Sequence, residues 1–200
     1  MQLIEKALNE NKASILLVPE ISLTPQTVNR FIARFGKEQI AVLHSKLSVG
    51  ERYDQWHKIH EGKAKVVIGA RSAIFAPVQN LGIVKNLGIV IIDEEHDSSY
   101  KSEMAPRYDA KNVARYICKT VNVPLVLGSA TPDLETFYRA KKEEIMLLEL
   151  TRRANEAELP SIDIIDLREE LAKGNRSMIS TRLYEEIEKN LKNRKQTILY

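Results

Sequence analysis

The chain predicts an α/β fold, a parallel sheet with helices on both faces. Three observations predict it. Short apolar runs alternate with longer helix-patterned stretches, each run is nearly continuous and bounded by polar, Gly or Pro residues, and five of the runs end in small or polar residues. Strands buried on both faces of a parallel sheet read as such unbroken runs, whereas half-exposed strands alternate apolar with polar. Strand, helix, strand in repetition is the order of an α/β domain.

The predicted strands are Ile15–Val18, Ile40–Leu43, Val66–Ile68, Ile89–Ile92 and Leu125–Leu127, followed by Ile162–Ile165 and Gln196–Tyr200. Between the first two, Thr24-Pro25 predicts a helix start, with threonine as cap and proline at the first helical position. Ser48-Val-Gly-Glu51 has the spacing of a capping box and predicts a helix running to near Glu61. Thr131-Pro132 repeats the Thr-Pro start, with Asp133 and Glu135 suited to the positive end of the helix dipole. Ser180 predicts the cap of a last helix ending near Asn193.

Residues 1–150 read as one lobe, and residues 151–200 as a linker and the incomplete start of another. Thr151–Pro160 is polar and aperiodic, and the little that follows cannot close a second doubly wound domain. Asn80-Leu-Gly-Ile-Val84 recurs at once as Asn86-Leu-Gly-Ile-Val90. Two copies are too few for a solenoid; the second runs into a strand, and the first predicts a longer loop before it.

Composition narrows the class. Of 200 residues, 44% are hydrophobic and 28% charged, the balance of a globular protein with a core. No apolar run approaches the roughly 18 residues of a membrane span, and the start Met1-Gln-Leu-Ile-Glu-Lys lacks a secretory pattern. The single cysteine, Cys118, excludes a disulfide framework and a structural zinc site within the chain. Thirty basic residues against 27 acidic ones give a net charge of +3, too balanced to argue for nucleic acid by charge alone. His57 and His60 have a spacing that can bind metal, but without sulfur ligands nearby they read as a surface pair, with Trp56 packing beside them.

In open parallel sheets, ligands bind beyond the carboxyl ends of the strands. Those ends carry Pro19-Glu20, His44-Ser45, Gly69-Ala-Arg-Ser72, Asp93-Glu94-Glu95-His96 and Gly128-Ser129-Ala-Thr131-Pro132. An apolar strand ending in Asp-Glu has the Walker-B arrangement. Its Asp helps to hold Mg²⁺ against nucleotide phosphates, and the next carboxylate orients or deprotonates the attacking water. A solvated acidic turn is the alternative; the apolar residues upstream and Gly128–Thr131 two elements later favour the nucleotide. The segment after the box, Asp97–Tyr108, interleaves Tyr100 and Tyr108 with Lys101 and Arg107, which suits stacking on bases and contact with phosphates of single strands. Core packing is the alternative for the tyrosines. Lys111, Arg115 and Lys119 then fall at successive i, i+4 positions, a basic stripe best read as a solvated helix face.

A DExH-type box followed by Ser-Ala-Thr resembles the superfamily 2 helicases. Leu17-Val-Pro-Glu20, Leu23-Thr-Pro-Gln26, Leu43-His-Ser45, Gly69-Ala-Arg-Ser-Ala73, Phe75-Ala-Pro77, Asp93-Glu-Glu-His-Asp-Ser-Ser-Tyr-Lys101, Pro106-Arg-Tyr108 and Gly128-Ser-Ala-Thr-Pro132 together resemble the primosomal replication-restart helicases, the PriA family, over essentially the whole chain.

The resemblance implies a RecA-like P-loop NTPase lobe and an ATP-dependent DNA helicase using ATP and Mg²⁺. Asp93 and Glu94 would be the Mg²⁺ and water-activating pair, with Glu95 and His96 completing the catalytic box. Ser129 and Thr131 would belong to the segment that links hydrolysis to lobe movement, on the nucleotide side. Thr24, Pro25, Gln26, Arg71, Tyr100, Lys101, Arg107 and Tyr108 would contact DNA. It further implies single-stranded and forked DNA, primosome proteins and single-strand-binding proteins as partners, no membrane, and the bacterial cytoplasm. Against the family's pattern, no Gly-x-x-x-x-Gly-Lys-Ser/Thr loop occurs in the chain, which predicts an internal piece without turnover of its own. The zinc-binding cysteines and second-lobe arginines are expected beyond Tyr200. A non-catalytic helicase-like module for DNA or protein binding is the competing expectation, disfavoured by the intact Asp93-Glu94 pair.

Overall fold

The computed structural model describes residues 1–78, 86–151 and 160–200. It divides into two compact units, Met1–Leu147 and Leu148–Tyr200. The first copy of the repeat, Asn80–Val84, and most of the predicted linker lie outside the described residues.

In the first unit, β1 (Ala13–Leu17), β2 (Ile40–Leu43), β3 (Val66–Gly69), β4 (Leu87–Ile92) and β5 (Leu125–Leu127) form a wholly parallel sheet in the order β2-β3-β1-β4-β5. Helices α1 (Gln2–Asn9), α2 (Pro25–Phe35), α3 (Val49–His60), α4 (Ala110–Val121) and α5 (Leu134–Lys141) accompany it. The strand residues divide by pleat. Leu16, Val18, Ile40, Val66 and Ile68 pack with Ile4 of α1 and Phe31 of α2 on one face. Ile15, Leu17, Ala41, Val67, Val90 and Ile92 pack with Ile59 of α3 and with Ala110, Ala114 and Cys118 of α4 on the other. Both faces are covered, which is why the strands read as continuous apolar runs.

Helix starts follow the cap residues. The Thr24 hydroxyl accepts from the Thr27 N–H, and Ser48 and Glu51 close the capping box at the start of α3. The start predicted at Thr131-Pro132 moves: Asp133 is the cap of α5, its carboxylate accepting from the Glu135 N–H at 3.3 Å. The cap thus falls two residues later than predicted, on Asp133, and Thr131 and Pro132 lie outside the helix. Gly69 closes β3 where a Cβ would come inside 3.0 Å of both the Leu43 carbonyl oxygen and the Ala73 Cβ, so a glycine is required for the chain to turn there.

Two surface expectations are corrected. Lys111 is buried rather than part of a solvated basic stripe. Trp56 is 44% exposed, and it stacks on His60 with ring centroids 5.0 Å apart, as Tyr53 stacks on His57 at 5.8 Å.

The second unit holds α6 (Leu167–Ala172) and α7 (Thr181–Lys192), the latter capped by Ser180 as predicted. Glu170 of α6 accepts from the backbone and hydroxyl of Thr181, each at 2.7 Å, and from the Asn175 amide at 2.9 Å, which joins the two helices. The strands predicted at Ile162–Ile165 and Gln196–Tyr200 are not strands. Ile162 and Ile164 are 83% and 95% exposed, and among the described residues of this unit no strand offers the ladder that an isolated strand needs.

Candidate active site

Because every strand runs the same way, Glu20, Ser45, Arg71, Asp93 and Ser129, each just past a strand, share the carboxyl edge of the sheet. The connections after β1 and β2 meet there across the end of β3: the Ser45 hydroxyl donates to the Glu20 carboxylate. The box follows β4. The Asp93 N–H donates to the Leu17 carbonyl and the Glu95 N–H to the Gly128 carbonyl at 3.0 Å, so the box is tied to β1 on one side and to the segment after β5 on the other.

Glu94 lies in the left-handed region, φ +47°, uncommon for a side chain of its size. The turn made there separates the four side chains of the box. Asp93, Glu94 and His96 reach solvent, and Glu95 points inward, 1% exposed. His96 Nδ1 stands 2.7 Å from the Ser129 hydroxyl and 3.6 Å from the Glu94 carboxylate, which joins the acidic turn to Gly128–Thr131. The Ser129 hydroxyl also accepts from the Thr131 N–H at 3.0 Å.

Glu95 is a correction to the expected catalytic set. Its carboxylate accepts from Lys111, from the Asp133 N–H and from Thr136, so both oxygens are engaged in the interior, away from the solvent-facing side of the box. Burial alone would lower the Lys111 pKa; hydrogen bonds to Asp133 and Glu95 outweigh it and hold the ammonium above its usual value. The same ammonium holds the Asp133 carboxyl below the ordinary range. Nothing in the sequence pattern announced this cluster except a lysine in the first turn of a helix, against the dipole.

The donor set at Asp93 fits Mg²⁺. Its Oδ1 accepts from the Glu94 N–H at 3.1 Å, and among the described residues its second oxygen has no protein partner. One exposed carboxylate with a free oxygen suits an ion that keeps several waters and takes phosphate oxygens for the rest.

The loop after the box carries a second correction. Tyr100 is 1% exposed, and its hydroxyl donates to the Asp93 carbonyl at 2.6 Å. It packs in the core and cannot stack on a base where it stands. Burial, with the nearby Asp93 charge, pushes the phenol pKa well above its usual value, so the hydroxyl stays a donor. Tyr108 is half-buried, edge-on to Phe75 at 5.1 Å with the Arg71 guanidinium 5.6 Å from its ring centre. Arg71 donates to the carbonyls of Ser99, at 3.2 Å, and Lys101, bracing the loop from the β3 end. Lys101 and Arg107 are exposed, and the pairing of Lys101 with Asp109 closes the loop at its base. Thr24, Pro25 and Gln26 are exposed at the start of α2, beyond β1.

The family model of the DEAD/DEAH box helicases matches residues 1–140. The replication restart protein PriA of Bacillus subtilis is 52% identical over 200 residues, covering all of this chain and 24% of that protein. That of Synechocystis is 44% identical over 188 residues, 92% of this chain and 22% of its own length. That of Treponema pallidum is 44% identical over 196 residues, 98% of this chain and 28% of its own. The chain thus spans about a quarter of the length of these curated relatives. An acidic box on a buried parallel strand, bonded through its histidine to a Ser-Ala-Thr segment, and a family match over that whole lobe agree: the chain belongs to the DEAD/DEAH box helicase family, among sequences of the PriA replication-restart group.

Proposed function

We propose that residues 1–150 are the first motor lobe of an ATP-dependent DNA helicase of the replication-restart class, and that residues 151–200 are a linker and the opening of the second lobe. Bacterial cytoplasm is its compartment, and single-stranded and forked DNA, primosome proteins and single-strand-binding proteins are its partners. The observation that carries the reading is the 2.7 Å contact of His96 with Ser129 beside an exposed Asp93 and a half-buried Glu94.

When bound, Mg²⁺ would neutralise charge on the nucleotide phosphates. Asp93 would hold it, through the carboxylate oxygen left free. Glu94, held outward by the left-handed turn, accepts the proton of the attacking water. His96 passes changes at Glu94 to Ser129 and Thr131, which lead into α5. On the DNA side, the starts of α2 and the exposed Lys101 and Arg107 would contact phosphates, with Tyr108 the remaining ring for a base.

The test is Glu94→Gln in a full-length enzyme that carries this chain. Amide for carboxylate keeps size and polarity but removes the base, so ATP turnover is lost while nucleotide binding persists. Turnover near the unsubstituted rate would overturn the assignment.

A further inference from the structure

Beneath the box, side chains from three segments meet in the interior. Glu95 accepts from the Asp133 N–H at 2.7 Å, from the Thr136 hydroxyl at 3.1 Å and from Lys111 Nζ at 3.1 Å. The Lys111 ammonium also donates to Asp133 Oδ2 at 2.9 Å. Lys111 is unfavourably placed for its own helix: it stands in the first turn of α4, at the positive end of the dipole, and is buried. Its reason is therefore tertiary.

The partners of Lys111 explain what that reason is. Glu95 sits between Glu94 and His96, and Asp133 follows Thr131 by two residues while capping α5. Lys111 itself comes two residues after Asp109, where the loop behind the box closes against Lys101. Its ammonium thus touches the acidic turn and the segment after β5, and its backbone anchors the far end of the loop. Tyr100 anchors the near end.

We propose that the buried Lys111 and Glu95, with the half-buried Asp133, form a positioning clamp that keeps Glu94 and His96 in register with Ser129 and transmits displacement of the far end of the Asp97–Tyr108 loop to both. The inference rests on the reading that this edge hydrolyses ATP in response to DNA. The three residues act through others: none of their contacts is on the exposed side of the box.

The pair Lys111→Met/Glu95→Gln tests it, because it removes the two buried charges together and leaves only Asp133, whose side chain is 35% exposed, whereas Lys111→Met alone leaves the buried Glu95 carboxylate unpaired and lowers the melting midpoint. In the 200-residue chain, the double variant is expected to melt near the unsubstituted midpoint. Its Glu95 and Asp133 amides should exchange about tenfold faster than before, relative to core amides of β1 and β3. In a full-length enzyme, the ratio of ATPase rates with and without single-stranded DNA should fall by about fivefold or more, with KM for ATP changed by less than about twofold. A residue that merely held the fold together would leave that ratio intact once the midpoint is restored, and an unchanged ratio overturns the clamp. Should the unsubstituted enzyme hydrolyse no ATP, the functional reading falls instead. The exchange measurement on the short chain still decides the clamp, and unaltered exchange at Glu95 and Asp133 overturns it.

Discussion

The hydroxyl of Tyr100 ties the loop after the box to the backbone of the residue assigned to Mg²⁺. Its ring belongs to the core cluster that includes Ile92 and Ala110, and its hydroxyl donates to the Asp93 carbonyl just past β4. The two contributions separate by substitution. Tyr100→Phe keeps the packing and should cost about 0.5–1.5 kcal/mol, the net value of one hydrogen bond. Tyr100→Ala also opens a cavity and should cost about 3–5 kcal/mol. Urea denaturation of this chain reads both; equal losses would mean that packing contributes little. An aromatic among cations in a loop suggested base stacking, and composition alone could not say which tyrosine turned inward. The seven-residue reach from Tyr100 back to Asp93 exists only because the chain doubles back on itself.

At the scale of elements, the Asp97–Tyr108 loop is held from three sides: by Tyr100, by the pairing of Lys101 with Asp109, and by Arg71. Arg71 comes from the turn after β3 and braces two loop carbonyls while standing over Tyr108. In a full-length enzyme, Arg71→Ala should therefore lower DNA-stimulated ATP hydrolysis by about fivefold or more, with a smaller change in the basal rate. The ratio of the two rates is the measurement, and a constant ratio would limit Arg71 to local packing. In the second unit, hydrogen bonds from the Thr181 N–H, Asn175 and the Thr181 hydroxyl pull the Glu170 pKa from 4.5 down to about 2. A carboxyl whose pKa falls on folding contributes stability above its unfolded value and loses it as the pH drops through the folded one. The junction of α6 with α7 should thus hold above about pH 4.5 and loosen progressively toward pH 2. An NMR titration following the Glu170 carboxyl and the Thr181 amide would show it, and Glu170→Gln should flatten that dependence.

For the molecule as a whole, the sequence holds the acidic box proposed to serve a nucleotide and no Gly-x-x-x-x-Gly-Lys-Ser/Thr phosphate loop. Charge-assisted hydrogen bonds are worth about 1.5–3 kcal/mol each, so lacking even two lowers affinity by upward of about a hundredfold. The 200-residue chain should therefore bind Mg·ATP weakly or not at all by titration calorimetry. Tight Mg²⁺-dependent binding would reveal phosphate donors elsewhere on the carboxyl edge.

The five strands, the caps Thr24, Ser48 and Ser180, and the gathering of Asp93, Glu94, Arg71 and Ser129 at one edge were legible in the amino-acid order. Those features are local, or follow from parallel strands: continuous apolar runs, caps at helix starts and polar residues at strand ends are each set by residues within or next to their own element. The inward turn of Glu95, the burial of Lys111 and Tyr100, the shift of the α5 cap to Asp133 and the failure of Ile162–Ile165 as a strand were decided by tertiary structure. Each depends on a partner distant in sequence. A charge can be buried only where an opposite charge meets it, a phenol only where a carbonyl waits, and a strand persists only beside another strand.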